Sequence, residues 1–186
     1  MPARLVVLAS GSGTTLQAIL DDPQLRPLVV AVGADRRDIA ALERATAAGV
    51  ETFVVPFAEF AARSDWDRAF EKELAARTPD LVVLAGFMRI FDAVNVSRFR
   101  MINTHPALLP AFPGGHALRD ALAAGVDTTG VTVHWVDEGV DTGPVIAQAT
   151  VPVEAGDDED SLRTRVQAVE KPLYTQALRR LTTELA

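Results

Sequence analysis

The sequence predicts an α/β domain in which helices cover both faces of a mostly parallel, twisted sheet. Along the first hundred residues, short and continuously apolar runs alternate with segments of helical periodicity, the pattern of buried parallel strands joined by helical crossovers. Near the C-terminal end, two apolar runs are separated only by a short loop, which predicts an antiparallel pair that ends the parallel order. With 186 residues, the chain is long enough for one domain with its own core.

Apolar runs predict the strands, because a parallel strand is buried on both of its faces. Valine, leucine and alanine dominate these runs, and prolines interrupt the chain at Pro56 and Pro79. The parallel strands are predicted at 4–9, 28–33, 52–55, 81–85 and in the run that ends at Asn103, and the antiparallel pair at 128–136 and 145–153.

Helical spacing of apolar residues predicts the crossover segments. Helices are predicted at 16–20, 38–48, 65–77, 92–99 and 117–124, with a longer helix from Leu162. Trp66 and Phe70 share one stripe of the third helix, so both are expected in the core. The acidic run 156–161 is interpreted as the solvated start of the last helix rather than as a metal site, because carboxylates favour the positive helix end. Pro172 is expected to kink or restart that helix.

Composition narrows the classes of function. The chain has no cysteine, which excludes disulfides, thiolate catalysis and cysteine-bound metals. Its formal net charge of −7 lowers the expectation of nucleic-acid binding, since a clamp on a phosphate backbone needs a basic face. No apolar run reaches the ~18 residues of a membrane span, and the N-terminal run is too short for a signal peptide. We therefore expect a soluble, cytoplasmic protein that binds neither membranes nor nucleic acid.

A turn rich in glycine, serine and threonine joins the first strand to the first helix. Residues 10–15 read Ser-Gly-Ser-Gly-Thr-Thr. Such a turn presents free backbone N–H groups to an anion, and its glycines let the ligand approach the backbone. The turn lacks the third glycine of a dinucleotide fingerprint and the Gly-Lys-Ser/Thr of a P-loop, so a monophosphate is the expected ligand. A plain connection between strand and helix is the alternative.

Two polar side chains stand at the end of the fifth strand. The strand runs up to Asn103, and Pro106 stops it two residues after Thr104. Because side chains alternate along a strand, Asn103 and His105 are expected on the same side. A carboxamide donor and an imidazole aimed at one spot can stabilise a developing negative charge and move a proton. The alternative is that both residues only form a turn.

Large apolar residues follow the fourth strand, where a loop is expected. Residues 86–91 read Gly-Phe-Met-Arg-Ile-Phe, and they either cap the core or line an apolar slot for a flat ligand. Spacing alone favours the core, because most such residues are buried. Ligands of open α/β sheets bind at the carboxyl ends of the strands. This segment, the turn at 10–15 and Asn103 with His105 are therefore expected at one edge.

The motifs resemble those of the glycinamide ribonucleotide formyltransferase family over nearly the whole chain. Asn-x-His-Pro at 103–106 with Asp-x-Gly-Pro at 141–144 is specific to folate-dependent formyl transferases. The turn at 10–15 and Gly-Phe-Met-Arg at 86–89 narrow the resemblance to the purine branch of these enzymes. It implies a single-domain Rossmann-like formyltransferase fold that transfers a formyl group from 10-formyltetrahydrofolate, the co-substrate, to the amine of glycinamide ribonucleotide. It implies neither a covalent enzyme intermediate nor a required metal.

The resemblance also assigns roles to residues. Asn103, His105 and Asp141 match the catalytic asparagine, histidine and aspartate, which stabilise the oxyanion and handle the proton. The ribonucleotide is expected to contact Gly13, Thr14, Thr15, Gly114 and Glu170. The folate is expected to contact Arg63, Met88, Arg89, Ile90, Phe91 and Val140, with Arg63 at its acidic tail. For residues 88–91, contact with the folate replaces the interpretation that they belong to the core. His134 and His116 match supporting histidines.

The sequence departs from the family at two positions, and rival functions remain. Many members have lysine or arginine where this chain has Ala111 and asparagine where it has Thr15, which bears on substrate affinity. A formyltetrahydrofolate deformylase uses the same catalytic residues with water as acceptor, but carries an additional N-terminal regulatory domain. A methionyl-tRNA formyltransferase needs an RNA-binding domain and a more basic surface. A noncatalytic nucleotide-binding module would need the turn at 10–15 but not His105.

We therefore expect one formyltransferase domain over residues 1–186. The half that binds the ribonucleotide phosphate is expected at about 1–100, and the catalytic and folate-binding half at about 101–186. Small-molecule substrates are the expected partners, and the sequence leaves open whether the chain forms a homodimer.

Overall fold

The computed structural model of the protein, which describes residues 1–185, is built on one seven-stranded sheet. The strands are β1 (Leu5–Ala9), β2 (Val29–Ala34), β3 (Glu51–Val54), β4 (Leu81–Leu84), β5 (Met101–His105), β6 (Thr128–Trp135) and β7 (Val145–Pro152). Their order in the sheet is β3-β2-β1-β4-β5-β6-β7. The first five strands are parallel, and β6 pairs antiparallel with both β5 and β7. This confirms the predicted fold class.

In the described part of the chain, six α-helices connect or follow the strands. They are α1 (Thr14–Asp21), α2 (Ala40–Ala47), α3 (Arg63–Arg77), α4 (Ala93–Arg98), α5 (Ala117–Ala124) and α6 (Glu159–Glu184). Short 3-10 turns lie at Arg26–Leu28 and Phe57–Glu59. Within residues 1–185, no helix combines the length and the apolar character that crossing a bilayer requires.

The sheet separates two apolar layers, because alternate residues of a strand face opposite sides. Leu5 and Val7 of β1 pack with residues of α1, α2 and α6 on one face. Val6 and Leu8 pack on the other face with Trp66 and its neighbours on α3. A third, smaller cluster fills the space between α5, the β6–β7 pair and the start of α6.

Aromatic rings anchor the segment that follows β4. The rings of Phe87 and Phe91 stack with centroids 5.3 Å apart, and Phe91 also stacks on Trp66 at 5.8 Å. Phe70 meets both phenylalanines edge to face. Trp66 and Phe70 are fully buried, which confirms the prediction that they belong to the core. The indole N–H of Trp66 donates to the carbonyl of Val55, so its polar atom is satisfied.

The last helix differs from its prediction at two points. It begins at Glu159, three residues before Leu162, and Asp158 with Ser161 forms a capping box there. The acidic run is thus a helix start, as predicted. Of the two expectations for Pro172, the restart was wrong, because α6 continues through this residue, and the kink stays a prediction. Pro172 and the residue four positions earlier are exposed, so water can satisfy the carbonyl that proline leaves without a donor.

Gly130 allows a close approach between β6 and its surroundings, and replacing it should destabilise the fold. A Cβ at this position would lie 2.2 Å from the backbone oxygen of Ala149 and 2.5 Å from a methyl group of Leu108. We expect Gly130→Ala to lower the free energy of unfolding by roughly 2 kcal/mol, since overpacking of this kind costs ~1–3 kcal/mol. Urea unfolding measures the change. The control is Gly115→Ala, where a Cβ meets open space; equal effects of the two variants would contradict the account.

Candidate active site

The predicted site residues meet at the carboxyl edge of the parallel strands, where two adjoining cavities open. The first, here called the loop cavity, has a volume of about 280 Å³ and is lined by the turn after β1 and by α6. The second, here called the histidine cavity, has a volume of about 400 Å³ and is lined by the segment after β4, the end of β5 and residues 136–141. Gly86, Met88, Thr104, Pro106 and Arg163 line both cavities. Two ligands can therefore lie side by side.

The strand pairing of β5 and β6 brings three polar side chains to the histidine cavity. Asn103 lies opposite His134 in the antiparallel register, and His105 lies opposite Thr132. Directly opposed residues point to the same face of a sheet. Asn103, His105 and His134 accordingly all line the histidine cavity, as the alternation along β5 predicts for the first two.

Asp141 joins the two histidines and a loop. Its Oδ2 atom lies 3.3 Å from Nδ1 of His105 and accepts a hydrogen bond of 2.8 Å from the backbone N–H of Gly114. Its Oδ1 atom lies 3.5 Å from Nε2 of His134, at the outer limit of a hydrogen bond. The other nitrogen of His105, Nε2, lies 2.7 Å from the carbonyl oxygen of Phe112. Because both ring nitrogens of His105 face acceptors, a ring protonated at both nitrogens satisfies the two acceptors at once.

The surroundings of Asp141 keep its carboxylate charged. Burial acts to raise the pKa of Asp141, but the facing imidazole of His134, the hydrogen bond from the Gly114 N–H and the nearby His105 outweigh it, so the pKa lies below its usual value. The result is a buried anion beside two imidazoles, held from three directions.

Gly143, which entered the sequence analysis only as part of the Asp-x-Gly-Pro motif, makes this placement of Asp141 feasible. A Cβ on Gly143 would lie 1.8 Å from the carbonyl oxygen of Trp135, so only glycine lets the loop return so close to β6. The Trp135 N–H also donates to the carbonyl of Pro144. Asp141 itself has a φ of 55°, a left-handed conformation that aspartate adopts more readily than most residues.

Thr132 and Gln148 hold the segment that follows Pro106, and sequence reasoning missed them. The Thr132 hydroxyl donates to the carbonyl of Ala107 at 2.7 Å and accepts from the N–H of Leu109 at 3.0 Å. The side-chain amide of Gln148 donates to the Thr132 hydroxyl and to the carbonyl of Leu109. The signal was available, since both are polar residues on strands that otherwise read as core, but their partners are 16 or more residues away.

The turn after β1 forms one wall of the loop cavity. Gly13 has a φ of 68° and is the N-cap of α1, and a Cβ there would lie 2.7 Å from Cα of Ala41. From behind the turn, Arg44 donates to the carbonyl of Ser12 at 2.8 Å. Because the first N–H groups of a helix have no acceptor within it, those at the start of α1 are available to an anion.

Glu170 lies on α6 at the opposite wall of the loop cavity. Its carboxyl faces the hydroxyls of Thr15 and Thr104, and burial raises its pKa to about 7 against the opposing charge of Lys171. One turn further along α6, the buried hydroxyl of Tyr174 lies 3.0 Å and 3.1 Å from the carbonyl oxygens of Leu84 and Ile102. This contact fixes α6, and with it Glu170, against the ends of β4 and β5.

The segment after β4 divides between the core and the histidine cavity. Phe87 and Phe91 are buried in the aromatic cluster, although both also contribute to the cavity wall. Met88 and Ile90 between them are 71% and 57% exposed, and Val140 across the cavity is 47% exposed. Phe87 and Phe91 therefore belong to the core, and Met88 and Ile90 line the cavity; the flat ligand for this cavity stays a prediction.

A buried carboxylate that sequence reasoning did not identify fixes Arg89. The Asp35 side chain, which is fully buried, accepts a hydrogen bond of 2.8 Å from Nε of Arg89. Burial acts to raise the pKa of Asp35, but hydrogen bonds from Ser10, Arg36 and Arg89 hold it below its usual value. The guanidinium of Arg89 lies 4.1 Å from the ring centroid of Phe57, which adds a cation–π contact.

Two predicted site residues do not line either cavity as formed by residues 1–185. Arg63 pairs with Asp67 at 2.9 Å and donates to the carbonyl of Ile90, so it lies behind the histidine cavity. His116 is exposed and is the N-cap residue of α5. Within the same residues, no group of three or more His, Asp or Glu side chains has the arrangement needed to hold a metal ion.

Known proteins resemble this chain in sequence and in fold. The profile of the family described as formyl transferase matches residues 3–178. The phosphoribosylglycinamide formyltransferase of Mycobacterium tuberculosis is 53% identical over 188 residues, covering 98% of this chain and 86% of that protein. The trifunctional purine biosynthetic protein adenosine-3 of Drosophila melanogaster is 43% identical over 94% of this chain, which spans 14% of that protein. The crystal structure of glycinamide ribonucleotide transformylase 1 from Symbiobacterium toebii has a TM-score of 0.94 and 45% identity, covering 98% of this chain and 89% of that one.

The buried carboxyl of Glu170 should make stability depend on pH. The folded protein holds this proton up to about pH 7, whereas the ordinary pKa is 4.5. Between these values the folded state binds more protons than the unfolded state, so the free energy of unfolding falls as the pH rises. Glu170→Gln removes this decrease in the free energy of unfolding, because glutamine does not titrate. We therefore expect the variant to gain about 3 kcal/mol over the wild type between pH 4.5 and pH 8, at ~1.36 kcal/mol per pKa unit.

Denaturant unfolding at several pH values measures this difference. Glu43→Gln, which removes an exposed carboxylate of α2, is the matched control and should follow the wild type. A constant difference between Glu170→Gln and the wild type across this range would contradict the assignment.

Proposed function

The chain belongs to the formyl transferase family, and we propose that it transfers a formyl group from 10-formyltetrahydrofolate to the amine of glycinamide ribonucleotide in purine biosynthesis. The observation that carries the proposal is the pair of cavities, which share a wall at Thr104 and Pro106 on either side of His105. A direct transfer between two bound substrates needs this arrangement. A hydrolase that uses water as acceptor has no need of the loop cavity.

The ribonucleotide fits the loop cavity. Its phosphate would accept hydrogen bonds from the backbone N–H groups of Gly13, Thr14 and Thr15, at the positive end of α1. Glu170 on the opposite wall would face the ribose and the glycinamide end of the molecule. Gly114, which Asp141 holds at the rim of the histidine cavity, would offer a backbone contact near the acceptor amine.

The formyl donor fits the histidine cavity. Its flat head would lie between the exposed side chains of Met88, Ile90 and Val140, with Phe91 at the base of the slot. Arg89, fixed by Asp35, lies at the same wall and would pair with an acidic tail. Arg63 lies behind Ile90 and reaches the same tail only beyond the cavity mouth.

The reaction is a direct acyl transfer. The amine nitrogen attacks the formyl carbon, a carbon–nitrogen bond forms, and the carbonyl electron pair moves onto oxygen. When the tetrahedral intermediate collapses, the carbonyl re-forms and the bond to the folate nitrogen breaks. The attacking nitrogen loses one proton and the leaving nitrogen gains one, so the transfer balances without a covalent enzyme intermediate.

Asn103 and His105 would stabilise the oxyanion, since both side chains face the histidine cavity. Asn103 would donate through its carboxamide. His105 would donate through Nε2, which lies 2.7 Å from the carbonyl oxygen of Phe112. A charged oxyanion is a stronger acceptor than a neutral carbonyl, so the substrate would replace Phe112 as the partner of this nitrogen. The proton of the attacking amine would leave toward Asp141 and reach the folate nitrogen through His105 or an intervening water.

Asp141 would orient His105, because its Oδ2 atom faces Nδ1 of the ring. Its second oxygen lies 3.5 Å from Nε2 of His134, which would act as a supporting residue. Through Gly114 it also fixes the rim of the cavity. His116 has no direct part in this mechanism.

Consumption of 10-formyltetrahydrofolate, followed by absorbance with and without glycinamide ribonucleotide, tests the proposed acceptor. We expect turnover only when the ribonucleotide is present, because the loop cavity holds the acceptor against the formyl carbon. Equal turnover in its absence would mean that water is the acceptor, and the chain would then be a deformylase.

Asp141→Asn should lower kcat by roughly a hundredfold or more, since positioned proton transfer contributes about 10²–10⁴ to rates. The ribonucleotide KM should change little, because Asp141 does not line the loop cavity and the side-chain oxygen of asparagine can still accept from the Gly114 N–H. Asp120→Asn, at an exposed carboxylate of α5 paired with Arg119, is the matched control and should keep full activity. Unchanged turnover in Asp141→Asn would remove Asp141 from the mechanism.

A further inference from the structure

Arg163 lies at the junction of the two cavities, a position that the mechanism above does not use. It is on the second turn of α6, and its side chain contributes to the walls of both the loop cavity and the histidine cavity. Gln167 and Glu170 follow it by four and seven residues, and both line the loop cavity. Residues at this spacing lie on one face of a helix, so α6 presents Arg163 on the same stripe as Glu170.

The loop cavity has very little positive charge of its own. Among its lining residues in the described part of the chain, only Arg163 and Glu170 have side chains that can be charged. Arg44 contacts the turn after β1 from behind, where it donates to Ser12 and Gln17 and lines a separate groove between α1 and α2. A phosphate in the loop cavity would therefore depend on backbone N–H groups and on Arg163 for its countercharge.

The present partner of Arg163 holds it weakly. Its guanidinium contacts the carboxylate of Glu159 one turn earlier on α6, and the two side chains are 48% and 46% exposed. Exposed ion pairs at this spacing contribute little to stability, because water screens them and both side chains lose freedom. A phosphate carries more charge than one carboxylate and accepts two parallel hydrogen bonds from a guanidinium. A phosphate is thus a stronger partner for the Arg163 guanidinium than the Glu159 carboxylate is.

We propose that Arg163 binds the phosphate of the ribonucleotide and that Glu159 holds the guanidinium at the cavity rim until the substrate arrives. The inference rests on the proposed function, since it takes the ribonucleotide as the occupant of the loop cavity. It adds a substrate-binding residue on α6 to the backbone groups of α1, so the phosphate is clamped between two helices. Arg163 is a specificity determinant for a phosphorylated acceptor and takes no part in the proton transfer.

Isothermal titrations with glycinamide ribonucleotide, ribose 5-phosphate and 10-formyltetrahydrofolate test this assignment. We expect Arg163→Met to raise the Kd for both phosphate compounds about tenfold and to weaken their salt dependence, while the Kd for the folate stays within about twofold. For the phosphate compounds, Arg163→Lys should give Kd values between those of the wild type and of Arg163→Met. Lysine keeps the positive charge but lacks the planar guanidinium that donates two parallel hydrogen bonds. Glu159→Gln should lower the Kd for the ribonucleotide roughly twofold. Arg119→Met, which removes an exposed arginine outside both cavities, is the matched control.

The outcomes separate this inference from the proposed function. Equal losses for folate and ribonucleotide in Arg163→Met, or no loss for either, would overturn the assignment. If the wild type binds ribose 5-phosphate but not glycinamide ribonucleotide, the proposed function falls, and an Arg163-dependent Kd for ribose 5-phosphate still supports the phosphate site. If the wild type binds none of the phosphate compounds, the inference is wrong.

Discussion

The reversal of strand order between β1 and β4 is the constraint on which the site depends. The chain moves outward from β1 to β2 and β3, and then returns to place β4 and β5 on the other side of β1. The connections that leave β1 and β4 therefore diverge, which opens a crevice at the carboxyl edge between them. In the described chain, two hydrogen bonds join residues 10–15 to residues 86–91 across the base of the crevice. The N–H of Ser10 donates to the carbonyl of Gly86, and the N–H of Met88 donates to the Ser10 hydroxyl. Both cavities include Gly86 and Met88 because they share this crevice.

The change from parallel to antiparallel pairing at β6 determines how Asp141 reaches His105. The loop after β6 leaves the sheet beside Met101, where the N–H of Val136 donates to the Met101 carbonyl. His105 lies at the other end of β5, so Asp141 reaches it only because the loop folds back over the sheet. Gly143 permits the close approach to Trp135, and Asp141 adopts a positive φ within the same turn. The contacts of this loop restrict it to one conformation, and they thereby fix the position of the Asp141 carboxylate.

Sequence patterns predicted the strands, the six α-helices and the edge at which the predicted site residues meet, because burial and periodicity are properties of short segments. The same patterns could not identify Asp35 as the partner of Arg89, since the pair is 54 residues apart and depends on which strands are neighbours. They could not decide between a kink and a restart at Pro172, because the cost of proline in a helix depends on whether the lost hydrogen bond faces water, and packing decides that. They left residues 86–91 divided between core and cavity, and the structure divides them by alternation: the phenylalanines point inward, and Met88 and Ile90 point outward.

The charges around the cavities show how an acidic protein can hold anionic ligands. Three arginines at or beside the cavities, Arg63, Arg89 and Arg163, each pair with a carboxylate, and the burial of that carboxylate decides how firmly the arginine is held. The carboxylates of Asp35 and Asp67 are almost inaccessible to solvent, so they hold Arg89 and Arg63 in fixed positions. Burial raises the pKa of Asp67, and its interaction with Arg63 offsets only part of this rise. The pair therefore fixes the position of Arg63 more than it stabilises the fold. Glu159 is half exposed, and its hold on Arg163 is correspondingly easy to exchange. A fixed cation, Arg89, therefore lines the histidine cavity with Arg63 behind it, whereas the exchangeable cation Arg163 lies where the two cavities meet. Only there do we propose that a phosphate takes the place of a carboxylate partner.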